Sequence, residues 1–284
     1  MRRLIWNLVS RTRAARRANS PRVLRWLRAL AWPLAGGTLV ECFGWKVRIT
    51  DGPNFYMQYK DEFLRRVYHF QARRPDPLII DGGSNMGMSM LYFKHAYPRA
   101  RIIGFEPDPA VFAQLRENVE RNGLKDIRLI NAGLDGQRGS AAFLADHTSG
   151  GRVVPGAGGA NVRVEVLSDY LDQEVDFLKL NIEGLELPVL REAAASGKLR
   201  NVRELVLEYH GWAAGPQSLG PILELLAQQG YRYLVHDFDA ETCPASKPPF
   251  HALPPSTWFC LVHAARVDPE PDPHRAEPVT AASS

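Results

Sequence analysis

A chain of 284 residues, 45% hydrophobic and 23% charged, has ordinary globular composition, which sets one large domain with appendages as the expectation. Three widely spaced cysteines, Cys42, Cys243 and Cys260, exclude a zinc ribbon or a disulfide scaffold and fit a reducing, cytoplasmic compartment. The net charge of +4 is unevenly spread: residues 1–35 hold nine arginines and no acid, and the other 26 of the 35 basic residues face 31 acids, a net of −5.

The basic N-terminal segment, residues 1–37, does not read as a targeting signal, because the apolar run from Leu4 to Val9 is too short for a secretory core. Nor does it read as a membrane span, because Arg25, Arg28 and Pro33 interrupt the next apolar stretch. Residues 21–34 predict an amphipathic helix. Val23, Leu24, Trp26, Leu27, Leu30 and Ala31 share one side, and Arg22, Arg25 and Arg28 the other. Two readings stand together: a helix lying on an anionic membrane at its inner face, or a helix packed on the domain. Nucleic acid is the poorer partner, since no recognition motif accompanies the arginines.

Residues 38–50 predict a hairpin turning at Gly44 and ended by Asp51-Gly52-Pro53. Residues 55–70 predict a helix with Phe63, Val67 and Phe70 on one face. Together, residues 38–77 are expected to cover the ligand turn that follows.

That turn opens the core, residues 78–264. Leu78-Ile79-Ile80 is an unbroken apolar run, as in a strand buried on both faces of a parallel sheet. It leads into Asp81-Gly82-Gly83-Ser84-Asn85-Met86-Gly87 and then a predicted helix from Met88 to Tyr97. Ligands of such folds sit beyond the carboxyl ends of the strands. The pattern is neither G-x-G-x-x-G nor a P-loop. D-x-G-x-N-x-G is instead a variant of the acid-plus-glycine loop of S-adenosylmethionine-dependent methyltransferases. One strand later comes Phe105-Glu106-Pro107-Asp108, an acid placed to hold a ribose diol. The expected cofactor set is Asp81, Gly82, Gly83, Ser84, Asn85, Gly87, Glu106, Pro107 and Asp108, with Asn131 and Ala132 at the end of the third strand.

Further on, Asp108 and Pro109 start a helix ending near Gly123. Residues 141–144 and 162–167 predict an inserted antiparallel pair around a glycine-rich loop, which reads either as a substrate-side loop or, more commonly, as a plain disordered hairpin loop. Residues 175–180 form the fourth core strand, delivering Asn181-Ile182-Glu183-Gly184. Residues 205–209 form the fifth, delivering His210. A helix follows to Gly230, then two last strands at residues 231–235 and 257–262, then a tail, residues 265–284, expected to be disordered.

The chain resembles the FkbM family of methyltransferases over roughly residues 38–264. The resemblance rests on Gln58-Tyr59-Lys60 with Glu62, on Ile80 to Gly87, on Phe105 to Pro109, on Leu178-Lys179-Leu180-Asn181-Ile182-Glu183-Gly184-Leu185-Glu186, and on Glu208-Tyr209-His210. It implies an α/β, class I methyltransferase (Rossmann-like) fold: a doubly wound, mostly parallel seven-stranded sheet with a reversed last strand. It implies O-methylation of a hydroxyl on a sugar, glycolipid or other small molecule, with Tyr59, Lys60 and Glu62 toward the substrate. His210 is the expected base, since imidazole accepts protons near neutral pH. Glu183 and Asn181 are expected to orient it, to bind the acceptor, or to ligate a divalent metal. N-methylation of a small molecule or nucleic acid, and a non-catalytic cofactor-binding or membrane-adaptor protein, are the alternatives. Other histidines, such as His69 and His236, read as structural or surface residues.

Overall fold

A computed structural model describes residues 21–144, 151–153, 160–237, 253–254 and 256–267. The segment before Pro21, most of the predicted glycine-rich loop, the Pro-rich connection with Cys243, and the tail beyond Val267 lie outside the described residues.

The first helix, α1 (Pro21–Ala31), buries Leu24, Leu27 and Ala31. Burying each leucine contributes about 1.5–3 kcal/mol. The helix therefore packs on the domain, on a narrower stripe than predicted. Trp26, expected on the apolar side, is 47% exposed, because it lies more than a quarter-turn from the stripe centred on Leu27. β1 (Leu39–Cys42) and β2 (Trp45–Arg48) form the predicted hairpin. Phe43 and Gly44 both have positive φ (49° and 82°), the backbone that a two-residue hairpin turn requires.

The helix predicted for residues 55–70 starts and stops earlier. α2 (Gly52–Gln58) begins where the Asp51 carboxylate accepts from Asn54 N at 2.7 Å. It widens into a π-turn over Tyr59–Leu64 and ends, with Arg66 at φ 58°. Stacking of Phe43 on Phe63 (4.5 Å) packs the wide turn, and Phe70 reaches the core from the loop beyond, on Phe177. No apolar periodicity encodes such a turn.

The main sheet alternates as expected. It comprises β3 (Leu78–Gly82), β4 (Arg101–Phe105), β5 (Ile127–Ile130), β10 (Val175–Leu180), β11 (Val202–Trp212), β12 (Tyr231–Asp237) and β13 (Thr257–Arg266). Their order is β12-β13-β11-β10-β3-β4-β5. β13 runs antiparallel to both its neighbours, and the pairs from β11 to β5 are parallel. Every residue of β3 and β10 is buried, since layers cover both faces. Ile79 and Phe177 point to the side of α1, α2 and α3 (Met88–Ala96). Leu78, Ile80 and Leu178 point to the side of α5 (Glu186–Ala195) and α6 (Leu219–Gln228). α4 (Pro109–Arg121) follows β4, capped by Asp108 as predicted. The inserted pair is β7 (Gly139–Leu144) against β9 (Ala160–Glu165), with short β6 (Gly133–Leu134) and β8 (Arg152–Val153) completing a second sheet. Among the described residues no helix is long and apolar enough to cross a membrane.

Candidate active site

A cavity of about 310 Å³ opens over the carboxyl ends of β3, β4, β10 and β11. One half is built by the loop after β3. Gly83 has φ 80°, and a Cβ there would lie 1.9 Å from the Asn181 carbonyl oxygen, so glycine alone lets this loop touch the end of β10. Gly83 N and Ser84 N both donate to Phe105 O, at 3.1 and 2.8 Å. Asn85 Oδ1 accepts from Met86 N, Asn54 Nδ2 and Gln58 Nε2, which ties α2 to the loop. Asn131 Nδ2 donates to the carbonyls of Glu106 and Pro107.

Glu106 is 6% exposed. Its Oε2 accepts from Asn85 N and its Oε1 from Asp108 N, each at 2.9 Å. Burial pushes the carboxyl up to about 7, and the two N–H donors work against that rise. Each oxygen retains a second acceptor position, enough for one hydroxyl apiece. The cradle that only glycine permits and the acid with two open acceptor positions fit an adenosine ribose lying along this loop.

Asp81 does not line the cavity. It is fully buried, with Oδ1 accepting from Lys179 Nζ at 2.8 Å and Oδ2 from Ser89 Oγ at 2.5 Å. Lys179 Nζ also donates to the carbonyls of Gly83 and Gly82, at 2.8 and 3.3 Å. The pair thus fastens the loop from beneath. Gly82, Gly87 and Asn131 likewise shape the loop from outside the cavity wall, while Gly83, Ser84, Asn85, Glu106, Pro107, Asp108 and Ala132 line it. A lysine inside the apolar run Val175–Leu180 was the signal for this buried pair, because such a charge needs an acid partner.

The other half comes from β10, β11 and the π-turn. His210 was expected at a strand end. It instead lies within β11, paired with Phe259, since β13 extends the ladder to Trp212. Its Nδ1 lies 3.1 Å from the Glu208 carbonyl oxygen, which can only accept, so in the neutral ring Nδ1 carries the proton. Nε2 faces Glu183 Oε1 at 3.4 Å and Glu208 Oε1 at 3.6 Å. Burial pushes the imidazole down to about 4, so it is neutral at pH 7 but a weaker base than the near-neutral imidazole expected from the sequence. Glu208, bonded by Asn181 Nδ2 at 3.0 Å, is pushed up to about 8 by burial and by Asp61. Glu183 itself sits at φ 57°, a conformation that costs a non-glycine residue of order 1–3 kcal/mol and clusters at functional sites.

The π-turn divides its residues. Tyr59 and Lys60, expected toward the substrate, do not reach the cavity: Tyr59 packs among Phe43, Phe55 and Phe63, and Lys60 is fully buried over the Tyr56 ring. Asp61 and Glu62 do line it, with Tyr68 from the loop beyond. Among the described residues, no group of three or more His, Cys, Asp or Glu side chains is arranged to hold a metal ion. His69, beside Arg66, Tyr92 and Tyr97, lies outside the cavity wall.

A seven-stranded sheet with one reversed strand, a glycine loop after β3 and an acid after β4 define the class I methyltransferase arrangement. Residues 81–233 match the Methyltransferase FkbM domain, over half of the chain, and the chain belongs to that family. It is 28% identical over 213 residues to Methyltransferase sdnD of Sordaria araneosa, covering 61% of this chain and 80% of that one. It is 28% identical over 177 residues to 2-O-methyltransferase NoeI of Sinorhizobium fredii, covering 54% and 72%. The crystal structure of Methyltransferase FkbM from Methylobacillus flagellatus superposes with a TM-score of 0.45 at 15% identity, covering 85% of this chain and 59% of that chain.

Proposed function

We propose that this methyltransferase transfers the methyl group of S-adenosylmethionine to a hydroxyl of a sugar, glycolipid or other small molecule. The observation that carries the reading is His210: a neutral imidazole whose Nδ1 proton is committed to the Glu208 carbonyl, leaving Nε2 as the acceptor at the cavity wall. The name of the 2-O-methyltransferase relative supports oxygen as the acceptor atom.

The bound cofactor supplies an electrophilic methyl group on a sulfonium. A neutral hydroxyl is a poor nucleophile and must lose its proton as it attacks. Nε2 of His210 takes that proton. Glu183, 3.4 Å from Nε2, stabilises the imidazolium as it forms, and the stacked Trp212 and edge-on Phe259 hold the ring plane. Glu106 holds the ribose diol, and the Asp81–Lys179 pair keeps the loop in place beneath it. Much of the remaining acceleration is positioning, for which a preformed loop is suited.

The test is methyl-labelled cofactor with lipid and glycan extracts, followed by mass analysis of the labelled product. With that product in hand, His210→Ala should lower kcat by roughly 10²-fold or more while cofactor affinity stays nearly intact. A chelator should leave the wild type unaffected. Chelator-sensitive activity restored by magnesium would overturn the base assignment in favour of a metal at Asn181 and Glu183.

A further inference from the structure

S-Adenosylmethionine carries two cationic groups, the sulfonium and the α-ammonium. Asp81, the acid of the glycine loop, is fully buried beneath that loop against Lys179 and Ser89 and does not line the cavity. Another acid must therefore meet that charge. The cavity is lined by Asp61, Glu62, Glu106, Asp108, Glu183 and Glu208, against one cation, Lys179, among the described lining residues. Most of these acids are engaged by neighbouring groups. Asp61 lies 3.1 Å from Arg65 Nη1, Asp108 caps α4, and Glu106 holds two loop amides at the ribose end. Glu208 accepts from Asn181, and Glu183 faces His210.

Glu62 stands apart. It is 4% exposed, lines the cavity, and its buried Oε2 has no hydrogen-bond partner among the described residues. Its electrostatic neighbours include Lys179 and Asp81, which fasten the glycine loop, and Asp61 and Glu208, so it lies near the part of the cavity where that loop meets β10 and β11. A ligand with its ribose on Glu106 and its chain along that loop brings its amino-acid end here. We propose that Glu62, presented by the π-turn, is the carboxylate that binds the α-ammonium of the cofactor.

The proposal rests on the cofactor reading given above, and it moves Glu62 from acceptor to donor recognition. An ammonium supplies three N–H donors, and Oε2 is an acceptor without a partner, so each satisfies the other. Burial also holds the free Glu62 carboxyl well above its ordinary range. Binding a cation there favours the ionised form, so uptake of the ligand should release a proton.

Two probes separate the groups. S-Adenosylhomocysteine carries the ammonium, whereas 5′-methylthioadenosine keeps the adenosine and thioether and lacks the whole amino-acid end. Calorimetric titration of the full chain should show Glu62→Gln weakening S-adenosylhomocysteine about tenfold or more, the scale of a lost charge-assisted bond, and 5′-methylthioadenosine less than about twofold. Wild-type binding heat for S-adenosylhomocysteine should vary with buffer ionisation enthalpy, and that variation should shrink in the variant. The ligand-free Tm of Glu62→Gln should equal or exceed that of the wild type, because a neutral amide replaces a buried acid. Glu62→Asp, one methylene shorter, provides the same reading with intermediate loss if the glutamine variant fails to fold. Equal losses for both probes, or no loss for either, would overturn the assignment to Glu62 alone. Failure of the wild type to bind either probe would overturn the cofactor reading beneath it.

Discussion

The two halves of the cavity are finished to different degrees. In the glycine-loop half, Asn85, Ser84, Ser89, Glu106, Asp108 and Asn131 all have hydrogen-bond partners before any ligand arrives. In the β10–β11 half, Asn181 Oδ1 and Glu62 Oε2 are buried without one among the described residues, and Glu208 is held toward its neutral form. A buried polar atom left unpaired costs about 1–3 kcal/mol, which the protein recovers only when a ligand supplies the missing partner. The first half is thus preorganised for one ligand, and the second is completed by what binds.

The largest effect should come from breaking the joint between the halves. Gly83→Ala forces a Cβ into the Asn181 carbonyl and keeps a positive φ. Overpacking and φ strain together should lower stability by about 3 kcal/mol or more in chemical denaturation. Gly37→Ala is the control, since Gly37 has φ 79° but open space around it; it should cost only about 1–2 kcal/mol. Equal losses at the two positions would show that the close approach is unimportant.

Next in size is the finished half itself. Glu106→Ala removes the ribose acceptor and also strands the amides of Asn85 and Asp108. S-Adenosylhomocysteine affinity should fall by about tenfold or more. Unchanged affinity in a folded variant would sink the ribose assignment.

The smallest effect, and the one that reads both halves at once, is pH dependence. Glu106 and Glu186 are pushed up to about 7, and Glu208 to about 8, chiefly by burial. Their folded values lie above the unfolded ones, so the folded chain holds protons that the unfolded chain has lost. Stability must fall as pH rises through that window. His210 and His263, pushed down to about 4, act in the opposite sense, but only below their ordinary 6.5. Between about pH 6.5 and 8.5 these acids act in one sense together with Glu62, which burial also raises, and Tm should decline by about 2–4 °C for each kcal/mol lost. Glu208→Gln should make the decline shallower up to about pH 8, and Glu106→Gln only up to about pH 7. A flat Tm across this range would refute the burial argument for all three acids.

What the sequence disclosed follows the same division. The strand, glycine loop, acid and capped helix are local signals: an apolar run, a D-x-G-x-N-x-G turn, and Asp108 before Pro109. Each recurs in the structure at the expected residues. The β10–β11 half is assembled from distant pieces. Glu208 and Glu62 are 146 positions apart, and nothing local states that they share a wall. The π-turn that rotates Tyr59 and Lys60 into the core and Glu62 toward the cavity leaves no periodic trace. Trp26 was misplaced because a helical wheel ranks residues by hydrophobicity, while α1 offers the domain only the stripe that fits, Leu24, Leu27 and Ala31.

The contact between Gly83 and Asn181 also bears on how such an enzyme can change its acceptor over evolutionary time. The reach from the cofactor loop to the acceptor wall is set by main chain against main chain, and side-chain replacement leaves main chain in place. Val67, Tyr68 and Phe143 can therefore be exchanged to admit new acceptors without resetting that reach. A lineage that kept this one glycine would be free to explore chemistry by editing the far wall alone.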